Sequence, residues 1–238
     1  MDKRYIGYFL PRDWGSDQAD CFFVDLGITF DGGDAVTITG ISKADPGVVT
    51  AEAHGFSDGD QVKIKDVVGM TDVNNKVFSV YGSATDTFSL RDKTDTVDFD
   101  TTGYDVYVSG GTVEQVDNTF YGLGHLEGET VSVLGDGAVH EDVVVSSAKV
   151  VLTDYFNKVH IGKGFTSKLM PMKLAVPGAN IRGKKKRIHQ IVFSFDKTLG
   201  AKFGPTSGVD TIPFRKTTDP LGSAPPLFTG EKLSLIHI

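Results

Sequence analysis

Apolar and polar positions alternate along this chain in short runs, and no run sustains the three-to-four spacing of an amphipathic helix. Residues 35–41 open the series, with Val36, Ile38 and Ile41 set among threonines, which predicts a half-buried strand. Similar runs follow at 48–53, 61–65, 76–81, 87–91, 104–109 and 111–116, each bounded by Gly, Asp, Asn or Pro. Short strands with this punctuation predict a small β-barrel or sandwich over residues 36–116.

The pattern continues at 129–134 and 138–145, joined by Asp136-Gly137 as a hairpin turn, and then at 149–152, 158–161 and 187–195. Ile188, Val192 and Phe193 predict that the last of these is a deeply buried strand. Beyond Gly200 the prolines 205, 213, 220, 225 and 226 remove backbone donors, so a loop-rich segment is expected. One helical turn is expected, near 17–23, with Ser16 or Asp17 as its cap. The fold class is therefore all-β, with a small barrel or sandwich at 36–116 and a second set of strands on either side of it. The 28 glycines and 9 prolines among 238 residues agree with many short strands and turns.

Composition narrows the function classes. No run approaches the roughly 18 apolar residues of a membrane span, and the opening residues lack the apolar stretch of a secretory signal. Cys21 is the sole cysteine, so no internal disulfide forms. The net charge is -7, divided as -12 over residues 1–118 and +5 over 119–238, which implies two surfaces of opposite character.

Candidate chemistry is sparse. His125, Glu127 and Glu129 place an imidazole and two carboxylates within five residues, the minimum for acid–base work or a metal. Their glycine-rich flank reads instead as a turn into the strand at 129–134. The stretch 161–165 does not match a phosphate loop and reads as a tight turn. Arg182, Lys184, Lys185, Lys186 and Arg187 form the sharpest charge feature. An acidic chain with no aromatics interleaved there argues against nucleic acid and for an assembly contact. Residues 92–100 are rich in carboxylates but lack the EF-hand order, so an acidic surface loop is expected. No cofactor, metal or catalytic apparatus is expected.

Several segments carry a resemblance: Ile41-Ser-Lys-Ala-Asp-Pro-Gly-Val-Val-Thr50, His54-Gly-Phe-Ser-Asp-Gly-Asp60, Val68-Gly-Met-Thr71, Val73-Asn74 and Asp86-Thr-Phe-Ser-Leu90. Through them residues 36–116 resemble the FCCH-type β domain, named for a region of ubiquitin-activating enzymes and found in phage tail proteins. None of the ubiquitin chemistry is implied, since the segment contains no cysteine. Residues 22–31 and 121–137 resemble two halves of one pattern in bacteriophage tail structural proteins, and 158–162, 166–168, 183–188 and 226–230 continue it. The resemblance implies an FCCH-like domain inserted in a loop of a discontinuous host β domain, 1–35 plus 117–232. It further implies a tail nozzle or hub subunit in the virion, assembled with other tail subunits as a homo-oligomeric ring.

Residues 233–238 resemble the in-frame translation of a sequencing adapter. The genuine protein is then expected to continue past Lys232, and to begin upstream of Met1. An alternative function is adhesion, with Tyr81, Tyr104 and Tyr107 packing on a host-surface glycan. A third is polysaccharide hydrolysis at His125, Glu127 and Glu129.

Overall fold

The computed structural model describes residues 15, 17–172, 190–205, 208–219 and 224–235. A three-residue 3-10 turn, Gln18–Asp20, is capped by Asp17, whose Oδ1 accepts the Ala19 N–H at 2.9 Å, and it precedes the first strand, β1 (Val24–Asp31). The next seven strands form one sheet: β2 (Val36–Thr37), β3 (Gly40–Ile41), β4 (Val48–Thr50), β5 (Gln61–Val68), β6 (Val77–Tyr81), β7 (Thr87–Asp92) and β8 (Ser109–Gln115). Their order is β2-β8-β5-β6-β7-β4-β3.

Residues 36–41 occur at both ends of that order. Val36 and Thr37 pair with Val113 and Thr112, and the Ile38 N–H still reaches the Gly111 carbonyl at 3.0 Å. From Thr39 onward the same stretch turns to β4, with Gly40 opposite Thr50 and Ile41 opposite Val49. One bent stave thus pairs with both edges and curls the sheet into a barrel. Closure leaves no long edge to recruit a foreign strand. The alternation of β5 to β8 aims Val62, Ile64, Phe78, Val80, Phe88, Leu90 and Val113 inward, where all are fully buried. Each such side chain contributes about 1.5–3 kcal/mol by leaving water.

The remaining strands before residue 165 are β9 (Asp117–Tyr121), β10 (Thr130–Gly135), β11 (Ala138–Val139), β12 (Val143–Val144), β13 (Lys149–Phe156) and β14 (Lys158–Gly164). β1 pairs with β14, which pairs with β10, and β11 and β12 both lie along the other edge of β10. β9 and β13 pair separately. A second core fills the space among them, from Phe120, Leu123, Leu126, Val131, Val133, Val150, Leu152, Val159 and Ile161. Phe30 and Phe120, on opposite sides of the barrel segment in sequence, meet here with ring centroids 5.1 Å apart. At the junction, Asn157 Nδ2 donates to the Gly33 carbonyl at 3.1 Å and to the Gln115 carbonyl at 2.8 Å, just where the chain enters and leaves the barrel.

These strands belong to one compact unit, Phe23–Gly164. The described residues before Phe23 and after Gly164 belong to a second. There β15 (Gln190–Thr198) pairs with β18 (Phe228–Leu235), and β16 (Ala201–Phe203) with β17 (Asp210–Ile212). Phe195, Phe214 and Phe228 form its aromatic centre, with centroids 5.0 to 6.4 Å apart. The expected host segment 117–232 is accordingly shared between the two units. Residues 233–235 continue β18 opposite β15, and 236–238 lie outside the described residues.

Four local expectations need correction. Residues 104–108 are not a strand: the Tyr107 hydroxyl donates to the Ile38 and Gly110 carbonyls, both at 3.0 Å, and holds the segment as an irregular strap. The run 161–165 is not a tight turn, because β14 continues through it to Gly164. At Gly162 an added Cβ would lie 2.7 Å from Gly27 Cα and from Val24 Cγ2, so glycine there lets β1 approach. Val192 is 53% exposed rather than deeply buried: among the described residues β15 pairs with β18 alone and buries none of its side chains fully, and Ile188 lies outside the described residues. Finally, the segment after Gly200 holds strands β16, β17 and β18. Prolines delimit them without entering them, as when Pro213 follows Ile212.

Candidate functional site

The three tyrosines on which a glycan contact was expected are not gathered into one platform: among the described residues no ring contact joins any two of them. Tyr81, at the end of β6, is 42% exposed, and the Arg91 guanidinium carbon lies 3.3 Å from its ring centroid. Arg91 is held in place by Asp98, whose Oδ1 accepts from Nε at 2.8 Å, and this bond with Asp98 raises the guanidinium pKa. Tyr104 packs edge-on against Phe99 at 5.8 Å, with Lys76 Nζ 5.5 Å from its ring centroid. Tyr107 is tied to the barrel stave through its hydroxyl. Tyr104 and Tyr107 therefore brace the barrel, and Tyr81 with Arg91 presents the more open surface.

His125, Glu127 and Glu129 are brought close by sequence but engage three different partners. His125 Nε2 lies 2.9 Å from the Leu26 carbonyl. Glu127 accepts the Ser147 N–H at 2.9 Å and the Ala148 N–H at 2.6 Å. Those two residues have φ of 56° and 57°, the left-handed pair of a two-residue hairpin turn between Ser146 and Lys149. Glu129 forms an ion pair with Lys163 at 2.8 Å. No group of three or more His, Cys, Asp or Glu side chains able to hold a metal ion occurs among the described residues. The lysine and arginine cluster, Arg182, Lys184, Lys185, Lys186 and Arg187, lies outside the described residues.

The carboxylates of the 92–100 loop are likewise engaged by nearby groups, Asp95 and Asp98 by Arg91 and the others by threonine hydroxyls and backbone N–H groups. Asp92 accepts the Thr94 hydroxyl and the N–H groups of Val97 and Thr96, each at 2.9 Å, and these bonds hold its pKa well below the usual carboxylate range. Asp100 accepts the Thr102 hydroxyl at 2.6 Å and is lowered for the same reason. Asp31 is lowered by its bond with Lys158 at 2.9 Å. Burial pushes the Cys21 thiol up, so it is not a poised nucleophile.

The residues that carried the resemblance have structural roles that can be read directly. The Phe56 N–H donates to His54 Nδ1 at 3.1 Å, and the imidazole packs against Phe56 and Phe88 at 5.2 and 5.1 Å. Asp58 accepts the Ser83 N–H at 2.7 Å, and Asp86 accepts the N–H of Ala53, whose φ is 49°. Asn74 imitates a paired strand residue: Oδ1 accepts the Val67 N–H at 2.8 Å and Nδ2 donates to the Val67 carbonyl at 2.9 Å. A family model, the FCCH domain of ubiquitin-activating enzyme E1, matches residues 44–117. The barrel contains an FCCH domain. The comparison with curated proteins returned no match. In this FCCH domain the signature side chains named above build turns and core.

One feature of the FCCH surface escaped the sequence reading. Val68, Val106 and Val108 are all exposed and surround Gly69, where an added Cβ would meet the Val106 carbonyl oxygen and lie 2.8 Å from Val108 Cγ2. The Val108 N–H donates to the Val68 carbonyl at 2.9 Å, which fixes the strap against the end of β5. The available signal was the pair Val106 and Val108 within the run 104–109, which the sequence pattern predicted as a strand.

Proposed function

We propose that the chain is a structural subunit of a bacteriophage tail, of the nozzle or hub kind, that acts by assembly and surface contact without catalysis. In this reading it resides in the virion tail and joins other tail subunits as a homo-oligomeric ring. A single observation carries the non-catalytic part: His125, Glu127 and Glu129, the side chains best placed in sequence to do chemistry, are each bonded to a different part of the framework. The division of charge along the chain supports attraction between unlike surfaces of neighbouring copies. The tail setting itself rests on the sequence resemblance.

Size-exclusion chromatography with light scattering on the full chain tests the assembly. A discrete oligomer at micromolar concentration is expected, and a monomer at every concentration and salt level overturns the reading. Immunogold labelling that decorates the tail of virions tests the setting, and labelling confined elsewhere overturns it.

A second reading, adhesion to a host-surface glycan, is favoured by the exposed Tyr81 ring beside Arg91. Glycan-array binding that is lost in Tyr81→Ala while the fold persists supports it.

A further inference from the structure

We infer that Asn157 is a clasp that sets the angle of the FCCH barrel on the strands that carry it, and that releasing it turns a fixed barrel into a swinging one. The barrel and β1 with β9–β14 are joined by short links: residues 32–35 lead in, and Val116 alone leads out. No strand of the barrel pairs with a strand outside it among the described residues. The two cores are separate clusters, and among the described residues no ion pair or ring contact joins one to the other. A module held by two adjacent links, with little packing across the joint, is the part of a fold that moves first.

Hydrogen bonds at that joint converge on one residue. The Asn157 carbonyl accepts the Gly32 N–H at 2.9 Å, and Nδ2 donates to the Gly33 carbonyl at 3.1 Å and the Gln115 carbonyl at 2.8 Å. A primary amide has two N–H bonds on one nitrogen, so a single side chain grips entry and exit together. At Gly32 an added Cβ would lie 2.6 Å from the Gln115 carbonyl oxygen and 2.8 Å from Asn157 Nδ2, so glycine lets the two links close on the clasp. Gly33, with φ of 83°, supplies the turn into the barrel. Asn157 is itself anchored: Asp136 Oδ1 accepts its N–H at 3.1 Å and that of Lys158 at 2.9 Å. Lys158 Nζ then reaches Asp31 at 2.9 Å, and Asp31 Oδ1 accepts the Gly33 N–H at 3.0 Å. Asn157, Gly32 and Gly33 all lie outside the matched segment 44–117.

The test uses the full chain with nitroxide labels at Asp72→Cys, exposed on the barrel, and Val139→Cys, 82% exposed on β11. The wild-type chain, whose sole cysteine is buried, is the labelling control. Double electron–electron resonance is expected to give one narrow distance distribution with Asn157 in place, and one about twofold broader in Asn157→Ala and in Asn157→Asp. The aspartate keeps the shape of the side chain but sets an acceptor against two carbonyls, so it separates hydrogen bonding from packing. Amide exchange at Val80 and Leu90 of the barrel and at Val133 and Ile161 outside it is expected to stay slow in both variants. An equally narrow distribution in the variants, or a broad one already with Asn157 present, overturns the inference. Loss of slow exchange in either core overturns it too, because the side chain then serves the fold rather than the angle.

Discussion

At the residue scale, much of the polar chemistry in this chain is spent on holding backbone. Glu127 receives two N–H groups of a left-handed hairpin turn. Glu127→Ala is therefore expected to lower stability by about 1–2 kcal/mol in urea unfolding. Gly162→Ala meets backbone of β1 and is expected to destabilise by roughly 1–3 kcal/mol, since overpacking forces strands apart. Asp31, Asp92 and Asp100 all have folded-state pKa values lowered from the usual 3.8 by the donors they accept. Their contribution is complete above that unfolded value and is lost as pH falls through the lower, folded one. Stability is expected to drop on acidification below pH 4 or so, with a shallower drop in Asp92→Asn. An equal slope in that variant excludes Asp92 as a source.

At the element scale, the decisive feature is the stave at 36–41, which lies before the matched segment 44–117. Excised residues 36–116 are expected to fold alone with a cooperative thermal transition. Excised 44–117 should not, because it loses buried Ile38 and Ile41 and opens the facing edges of β8 and β4. Circular dichroism melts of the two fragments decide this, and equal cooperativity would mean that the stave is dispensable. At the junction, Asn157→Ala removes both bonds to the entry and exit of the barrel. Limited proteolysis of that variant is expected to cut faster near 32–35 while the barrel itself resists.

At the scale of the whole molecule, charge and exposed apolar surface direct the expectation towards assembly. If unlike charges align the copies, raising salt from 50 mM to 500 mM shrinks the Debye length from about 14 Å to about 4 Å and should dissociate the oligomer. Assembly unchanged across that range would assign the contact to apolar burial alone.

Strand positions were legible in the sequence wherever alternation and turn residues coincide, as at 61–65, 87–91 and Asp136-Gly137, because period-two burial and left-handed turns are local constraints. So was a cap at Ser16 or Asp17, a role that Asp17 fills. Tertiary structure alone decided that 36–41 pairs at two edges, that Glu127 serves a turn 20 residues away, and that Val106 and Val108 face water. It also decided that Val192 is exposed, in a strand that pairs with β18 alone among the described residues. Each of those outcomes depends on which distant segment arrives alongside, and a pattern of apolar and polar residues specifies a face to be buried without naming what will cover it.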